Sequence, residues 1–270
     1  MSGPMVTAAP RPAALITGAS GGIGLELARL CAKGGHDLIL VARNQAKLEE
    51  ITKYLSGMYA IRVELIVADL SDPEAPAAIA DETARRGLTV EVLINNAGFG
   101  DWGLFGRADL ERQLAMIQVN VIALTHLTRL LLPGMVHRRR GRILNLASTA
   151  GFAPGPLMAV YYATKAYVLS FSEAIGNELE GTGVTVTALC PGPTQTGFAE
   201  RAGMQQSNLF SSPTVMQAAL VAEAGYRGMM RGRAIVIPGL ANKLLIQSIR
   251  IGPRWLVRAI TRWFQEGRTE

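Results

Sequence analysis

Seven short apolar runs alternate with longer segments of helical periodicity, and this alternation limits the folds that the chain can adopt. The runs are almost continuously hydrophobic, which is typical of strands that helices cover on both faces. The predicted strands are Ala13–Thr17, Asp37–Ala42, Arg62–Val67, Val90–Asn95, Gly141–Leu146, Thr185–Cys190 and Ala234–Ile237. The predicted helices are Gly22–Lys33, Gln45–Leu55, Glu74–Arg86, Asp109–His137, Val160–Glu180 and Thr214–Met230. With right-handed crossovers, this order predicts an α/β Rossmann fold, a doubly wound, seven-stranded parallel sheet with helices on both faces.

The 270 residues are expected to form a single domain, because no linker rich in Pro, Ser or charge divides the chain. We expect a flexible N-terminus over residues 1–12, the Rossmann-fold domain over residues 13–238 and a basic, amphipathic helical extension over residues 239–270. The stretch Thr194–Pro213 does not fit the alternation. It follows the carboxyl end of a strand, where such sheets bind ligands, so we expect either a mobile lid or a solvated loop.

Composition and charge exclude several classes of protein. With 49% apolar and 18% charged residues, the chain is not expected to be disordered, collagen-like or a coiled coil. The net charge is +6, but the segment from Arg227 to Glu270 holds nine basic residues against two acidic ones. The remainder is almost neutral, which argues against a nucleic-acid partner.

Cysteine usage and the N-terminus indicate a cytoplasmic location. Cys31 and Cys190 lie in apolar stretches without metal-ligand spacing, so neither a disulfide framework nor a metal site is predicted. Residues 1–11 lack the features of a signal peptide, and no apolar run is expected to span a membrane. We therefore expect a soluble protein, or at most a peripheral one.

The C-terminal extension combines basic residues with an apolar face. Four arginines recur every four residues, at Arg250, Arg254, Arg258 and Arg262. The apolar residues between them are Leu256, Ile260, Trp263 and Phe264, and Pro253 is expected to divide the segment into two helices. Such a segment can cap a pocket, pack on a second subunit or lie on an anionic membrane. Packing is favoured over peripheral membrane contact.

A glycine-rich turn, Thr17–Gly24, follows the first predicted strand and opens a helix. Gly18 permits a tight turn, while Gly22 and Gly24 remove side chains so that the backbone can approach a pyrophosphate and the helix can pack against the strand. The unpaired N–H groups and the positive dipole end of the helix favour an anion there. The turn therefore predicts a dinucleotide site.

Arg43 bears on the choice of dinucleotide. A free ribose 2′-hydroxyl calls for an acidic residue at the end of the second strand, where this chain has Ala42 and Arg43. A guanidinium suits a 2′-phosphate, so NADP(H) is favoured over NAD(H). The alternative is that Arg43 is an ordinary surface residue.

From about Ala13 to Ile237, the chain resembles the classical short-chain dehydrogenase/reductase family. The motifs that carry the resemblance are Thr17–Gly24, Asp69–Leu70, Asn95–Gly98, Asn120, Ser148, Tyr161–Lys165 and Pro191–Gly192. The resemblance implies cofactor contacts from Gly18, Ser20, Gly22, Ile23, Gly24, Arg43, Asp69, Leu70, Asn96, Tyr161, Lys165, Pro191, Gly192, Thr194 and Thr196. It also implies catalytic roles for Asn120, Ser148, Tyr161 and Lys165.

The chemistry of these side chains fits such roles. Tyr161 and Lys165 are four residues apart, so on a helix they project from the same face. We expect the lysine ammonium to lower the pKa of Tyr161, which makes the phenol a usable acid near neutrality. Ser148 follows a strand, where its hydroxyl is expected to bond the substrate oxygen. The resemblance implies that Lys165 also holds the nicotinamide ribose. It further implies that Asn120 keeps its helix kinked around a water and continues a proton relay.

The expected function is hydride transfer between NADP(H) and a carbonyl or secondary alcohol. Apolar residues are expected around the reacting oxygen, from Phe99–Phe105, Gly151–Met158 and the lid, including Phe152, Leu157, Met158, Phe198, Met204 and Phe210. They favour an apolar ketone, an aldehyde or a 3-oxoacyl substrate. The alternative is a non-catalytic NADP(H)-binding sensor or scaffold, held at a membrane by its tail. The resemblance also implies a homodimer or homotetramer that pairs the helices Asp109–His137 and Val160–Glu180.

Overall fold

A seven-stranded parallel sheet forms the centre of the protein in a computed structural model that describes residues 12–204 and 215–266. Its strands are β1 Ala13–Thr17, β2 Asp37–Ala42, β3 Val63–Val67, β4 Val90–Asn95, β5 Gly141–Leu146, β6 Val184–Leu189 and β9 Ile235–Val236. They are ordered β3-β2-β1-β4-β5-β6-β9. A small second sheet pairs β7 Thr194–Gln195 with β8 Met216–Gln217. The order reverses between β1 and β4, and the crevice at such a reversal is where doubly wound sheets bind their ligands.

Helices cover both faces of this sheet, as predicted. They are α1 Gly22–Lys33, α2 Gln45–Met58, α3 Ala75–Arg85, α4 Leu110–Ile117, α5 Leu124–His137, α6 Ala159–Glu178, α7 Phe198–Arg201, α8 Ala218–Met230, α9 Leu240–Ile251 and α10 Arg254–Gln265. The predicted Rossmann fold is confirmed. The predicted break at Pro253 is also present, because this residue stands between α9 and α10.

Successive residues of each central strand point to opposite faces of the sheet, where they pack into two separate hydrophobic clusters. Ile16 and Ile94 pack with Leu27 of α1 on one face of the sheet. Leu15 and Leu93 pack with helices α3 and α5 on the other face. Because side chains alternate across a strand, a strand buried on both faces must be apolar throughout, which explains the continuous hydrophobic runs.

The predicted helix Asp109–His137 differs from the observed structure. The chain forms α4, then a wider π-helical turn at Gln118–Ala123, and then α5. Asn120 lies in that turn, and its side chain is bonded outside the helix, to the backbone of Phe99. Such π-turns occur often at functional sites.

The expectation that no segment could span a membrane is wrong, because one helical stretch has the length and the apolar composition of a membrane span. The helical stretch Leu110–His137 is 28 residues long, and an 18-residue window within it has a mean hydropathy of 1.4. In this fold, α5 packs on β4 and β5, and Leu127 and Met135 are fully buried in the core. The stretch is thus a packed element of the sheet's helical layer.

Some predictions fall on residues that the structure does not describe. These are most of the flexible N-terminus, much of the expected lid Thr194–Pro213 with Phe210, the first residue Thr214 of one predicted helix, and the last four residues.

The core assignment predicts a large difference between two leucine substitutions. Leu93 is fully buried, whereas Leu240 is 72% exposed. We expect Leu93→Ala to lower the free energy of unfolding by about 2–5 kcal/mol, because it leaves a cavity. The matched control, Leu240→Ala, is expected to stay within about 0.5 kcal/mol of the parent protein. Urea denaturation followed by circular dichroism measures both, and equal losses would contradict the assignment.

Candidate functional site

A cavity of about 770 Å³ opens at the carboxyl ends of the strands. One part is bordered by the glycine-rich turn and by the ends of β2 and β3. The other part is bordered by α6, α7 and the C-terminal helices α9 and α10. A cavity of this volume is large enough for a cofactor or a drug-sized ligand.

The glycine-rich turn forms a cradle in the first part. Gly18 and Gly22 have φ values of 66° and 55°, a backbone conformation that side chains disfavour. A Cβ at Gly21 would meet no atom within 4 Å. The α1 N-terminus has no side-chain cap, so its first N–H groups are available to a ligand. These features fit the phosphates of a dinucleotide.

Gly24 has a different position from the other predicted contacts. It is absent from the cavity wall, and a Cβ there would lie 2.4 Å from both Gly18 O and Asn96 Nδ2. Its glycine is therefore needed for close packing beneath the turn. Contact between Gly24 and a cofactor stays a prediction, whereas the expected close packing at this glycine is present.

Asn96 joins the turn to the end of β4. Its Nδ2 donates to Thr17 O at 2.9 Å and to Gly18 O at 3.1 Å. In return, Thr17 Oγ1 accepts from the backbone N–H groups of Asn96 and Ala97, each at 3.0 Å. Asn96 therefore fixes the cradle and also lines the cavity.

Arg43 and Asp69 face each other at the ends of β2 and β3. Arg43 Nη1 lies 3.6 Å from Asp69 Oδ2, and the Arg43 side chain is 72% exposed. Burial acts to raise the pKa of Asp69, but hydrogen bonds from Ser71 and the charge of Arg43 outweigh it and lower the pKa overall. An ionised carboxylate thus holds the guanidinium at the cavity wall, next to the buried Leu70.

The remaining predicted cofactor residues lie around the same cavity. It is lined by Gly18, Ser20, Gly22, Ile23, Arg43, Asp69, Leu70, Asn96, Tyr161, Lys165, Pro191, Gly192, Thr194 and Thr196. The hydroxyl of Thr194 donates to Gly192 O at 2.9 Å, and that of Thr196 accepts from Phe198 N at 3.2 Å. These bonds shape the loop after β6 into one wall. Contact with a cofactor stays a prediction for each of these residues.

Ser148, Tyr161 and Lys165 meet where the two parts of the cavity join. Burial raises the pKa of Tyr161 well above its usual range, and a hydrogen bond with the Ser148 side chain opposes this only in part. Lys165 Nζ donates to Leu146 O at 2.6 Å and lies 5.8 Å from the centre of the Tyr161 ring.

The expected lowering of the Tyr161 pKa by Lys165 is not found. The ammonium bonds a backbone carbonyl and does not contribute to the tyrosine shift. Burial also lowers the pKa of Lys165 to about 8, because the charged form is poorly solvated there. The tyrosine is accordingly held as a neutral phenol, the form that donates a proton.

Asn120 lies behind the cavity and outside its wall. It is 1% exposed, and its Nδ2 donates to Phe99 O at 3.0 Å and to Thr164 Oγ1 at 3.1 Å. Thr164 Oγ1 in turn donates to the backbone oxygen of Tyr161 at 2.7 Å. Asn120 thus links the loop after β4 to the helix that carries Tyr161, which makes it a positioning residue. The predicted proton relay stays a prediction.

The second part of the cavity is largely apolar. Of the residues predicted there, Met158, Phe198 and Met204 line it. Phe152 and Leu157 do not line it: the Phe152 ring lies 5.7 Å from the Arg250 guanidinium, and Leu157 O accepts from Gly103 N. Sequence reasoning did not assign the lining from the tail, which comprises Leu245, Ser248, Ile249, Gly252, Leu256, Val257, Ile260, Thr261, Phe264 and Gln265.

The C-terminal helices cover the apolar part of the cavity. Trp102 Nε1 donates to the backbone oxygen of Gln265 at 2.9 Å, and Gln265 Nε2 donates to the Tyr162 hydroxyl at 2.6 Å. Val257 is also buried on this side of α10. Of the three alternatives for the tail, these contacts favour the pocket cap.

Sequence comparison relates the chain to known dehydrogenases and reductases. Residues 12–207 match the profile of a family described as short chain dehydrogenase. The chain is 39% identical over 196 residues to a Streptomyces violaceoruber protein named as ketoacyl reductase 1 of the granaticin polyketide synthase, covering 72% of this chain and 71% of the relative. It is 34% identical over 192 residues to the very-long-chain 3-oxoacyl-CoA reductase of Bos taurus, covering 69% of this chain and 61% of the relative.

Solved structures give the same relationship. A short-chain dehydrogenase from Sphingobium yanoikuyae in complex with NADPH is 36% identical, with a TM-score of 0.79 over 88% of this chain and 93% of that one. A bulky-bulky ketone specific alcohol dehydrogenase from Comamonas testosteroni is 29% identical, with a TM-score of 0.76 over 90% and 93%. A Burkholderia phymatum relative in complex with NAD is 25% identical, with a TM-score of 0.79 over 88% and 92%.

The buried lysine predicts a dependence of stability on pH. Because burial lowers the Lys165 pKa to about 8, the unfolded chain binds more protons at this residue than the folded chain between about pH 8 and pH 10.5. Lys165 thus opposes folding most at low pH, and its contribution to stability rises through this window. We expect Lys165→Met to be more stable than the parent protein at pH 7, with a difference that shrinks as the pH rises.

Urea denaturation at pH 7, 8, 9 and 10 measures this difference. The control is Lys53→Met, which removes the same charge from an exposed position. A stability difference for Lys165→Met that stays constant across the series would contradict the assignment.

Proposed function

The chain belongs to the short-chain dehydrogenase family and is an oxidoreductase of that family; from this premise we propose that it reduces apolar carbonyl compounds with NADPH. One observation carries the proposal. Ser148, Tyr161 and Lys165 lie in a single cavity, between a glycine cradle that fits a dinucleotide and a chamber with apolar walls. We also propose that residues 13–238 form the catalytic domain and that residues 239–270 close its substrate chamber.

The nicotinamide cofactor supplies the hydride when bound. Tyr161 donates its phenolic proton to the substrate oxygen as the carbonyl carbon is reduced. Because burial raises the pKa of Tyr161, the phenol carries the proton that this step requires, although the raised pKa by itself makes that proton harder to transfer. The Ser148 hydroxyl is bonded to Tyr161 and donates to Pro191 O at 3.3 Å in this structure. When substrate binds, the same hydrogen turns to the substrate oxygen and stabilises the charge that develops there.

Lys165 and Asn120 support this arrangement. Lys165 keeps its ammonium beside the face of the Tyr161 ring and is suited to hold ribose hydroxyls, for which it has hydrogens beyond the one donated to Leu146. Asn120 keeps the loop after β4 in register with the helix that carries Tyr161. The loss of Asn120 is therefore expected to act through position rather than through contact with substrate.

NADP(H) is proposed as the preferred cofactor. The guanidinium of Arg43 lies at the end of β2, is largely exposed, and retains donors beyond its contact with Asp69. A 2′-phosphate would accept charge-assisted hydrogen bonds from it. The related structures hold NADPH in one case and NAD in another, so the preference depends on this local argument.

Arg43→Ala tests the preference. We expect this variant to bind NADPH about tenfold or more weakly, because a charge-assisted hydrogen bond is lost, while NADH affinity changes little. Isothermal titration calorimetry measures both affinities. Arg227→Ala, at an exposed position away from the cavity, is the control. Parent protein that binds NADH as tightly as NADPH would overturn the preference.

The proposed substrates are ketones, aldehydes or 3-oxoacyl compounds with an apolar body. The chamber is lined largely by apolar side chains, among them Met158 directly before α6, Phe198 of α7 and residues of α9 and α10. The names of the relatives refer to ketoacyl, 3-oxoacyl-CoA and bulky ketone substrates, which is consistent with such a chamber.

NADPH oxidation with ketones of graded chain length and ring size tests this function. We expect turnover to rise with apolar size, and Tyr161→Phe to lower it by about 100-fold or more through loss of the acid. Tyr54→Phe, on the remote helix α2, is the control and keeps full turnover. Full turnover by Tyr161→Phe would exclude the acid role. Tight NADPH binding without turnover of any ketone would favour the sensor or scaffold.

A homodimer or homotetramer is proposed as the assembled form. Apolar side chains on the outer faces of α6 and of the π-turn are partly exposed, with Ile122 at 47% and Tyr167 at 39%. These residues line a shallow groove with Val121, Thr125, His126 and Arg129. Covering this surface would bury apolar area that the single chain leaves in water.

A cytoplasmic location is also proposed. Cys31 and Cys190 are both buried free thiols, which is consistent with a reducing compartment. Peripheral membrane contact through the outer face of the tail stays the less favoured alternative.

A further inference from the structure

Helix α10 ends in a polar residue, Gln265, that is held inside the substrate chamber. Gln265 is 1% exposed and lines the same cavity as Ser148 and Tyr161. Its backbone oxygen accepts from Trp102 Nε1 at 2.9 Å, and its side-chain Nε2 donates to the Tyr162 hydroxyl at 2.6 Å. Both its backbone and its side chain are therefore fixed.

Gln265 keeps hydrogen-bonding capacity that the protein does not use. Its Oε1 is buried and has no hydrogen-bond partner in the described part of the chain. Buried polar atoms without a partner are uncommon because they lose their bonds to water. Gln265 is also the one polar side chain of α10 that is fully enclosed in that region.

Tyr162 adds a donor to this acceptor. Its oxygen accepts from Gln265, so its own hydroxyl hydrogen is not used in that bond. Burial raises the pKa of Tyr162 against the opposing effect of the Gln265 bond, so the hydroxyl keeps its proton. Its ring meets the Tyr161 ring edge to face, with centroids 6.1 Å apart. Tyr161 and Tyr162 therefore lie side by side in the wall of one chamber, and each carries a hydroxyl group.

The surroundings of this pair are mainly apolar, with Thr261 as a further polar residue of α10 in the wall. The cavity wall beside it includes Met158, Met204, Val257, Ile260 and Phe264. A donor and an acceptor within an apolar wall complement a hydroxyl group, which can both accept and donate. The match holds for either orientation of the Gln265 amide, because turning it over exchanges the roles of donor and acceptor.

We propose that Gln265 and Tyr162 form a specificity subsite for a hydroxyl group that the substrate carries on its apolar body, in addition to the carbonyl that is reduced. This inference rests on the proposed function and narrows its substrate class to apolar hydroxyketones. A substrate without the hydroxyl would enclose the same polar atoms and leave them unpaired, so the site discriminates against it.

Matched pairs of substrates test the subsite. The probes are 2-alkanones of graded chain length and their counterparts with a hydroxyl on the terminal carbon, so that the distance between carbonyl and hydroxyl is scanned. For the parent protein, we expect kcat/KM to favour the hydroxylated member by about tenfold or more at one chain length. In Gln265→Met and in Tyr162→Phe, this ratio is expected to fall to within about threefold of unity.

Arg258→Gln is the matched control, because Arg258 is exposed on the same helix, and its ratio is expected to equal that of the parent. Calorimetry of each ketone with the NADP⁺-loaded protein gives a second measurement that needs no turnover. Urea denaturation establishes that both subsite variants are folded. If one of the two subsite variants is unfolded, the other variant and the parent protein still give the kcat/KM ratio and the difference in affinity between the paired ketones.

The results distinguish a failure of the proposed function from a failure of the proposed subsite. If neither ketone series is turned over, the proposed function fails, and equal binding of the paired ketones then rejects the subsite as well. If plain ketones are reduced as efficiently as hydroxyketones at every chain length, only the subsite is rejected. In that case Gln265 is a structural pin for the tail.

Discussion

The hydrogen bonds between Thr17 and Asn96 hold together the two halves of the site. They join the end of β1 to the end of β4, at the point where the strand order reverses. Each partner is almost fully buried, so the loss of either would leave unpaired polar groups at a cost of about 1–3 kcal/mol each. The glycine cradle and the loop that leads to the catalytic residues are therefore fixed in one arrangement. Gly24 makes this possible, because no side chain fits between the turn and Asn96.

The site also contains buried ionisable side chains that lower the stability of the folded protein. Lys165 is buried and has a pKa lowered to about 8, so its charge is costly in the folded protein. Tyr161 is buried beside it as a neutral phenol with a raised pKa. A lysine and a tyrosine with such shifted pKa values at the junction of two pocket halves are typical of a functional site rather than of a core selected for stability.

The features that were predicted most accurately from the sequence are those that depend on a local pattern of residues. The continuous apolar runs predicted the central strands because each is covered on both faces, and the glycine-rich turn predicted the start of α1. The family resemblance implied a kink at Asn120, but no local pattern predicted its π-helical form, because that form depends on bonds from Asn120 to Phe99, which is 21 residues away. The pKa of Tyr161 was expected in the wrong direction, because the spacing of Tyr161 and Lys165 contains no information on burial. The role of Gln265 depends on a contact with Tyr162, 103 residues earlier, and no local signal marks it.

The central claim is that this chain transfers a hydride from NADPH to an apolar carbonyl carbon while Tyr161 supplies the proton. The most direct measurement uses NADPH in which deuterium replaces both hydrogens of the reactive nicotinamide carbon, an apolar ketone and mass spectrometry of the product. We predict an alcohol with one deuterium on the carbon that carried the carbonyl, together with oxidised cofactor. An alcohol without the label, or bound NADPH that is never oxidised by any ketone of the series, would contradict the account.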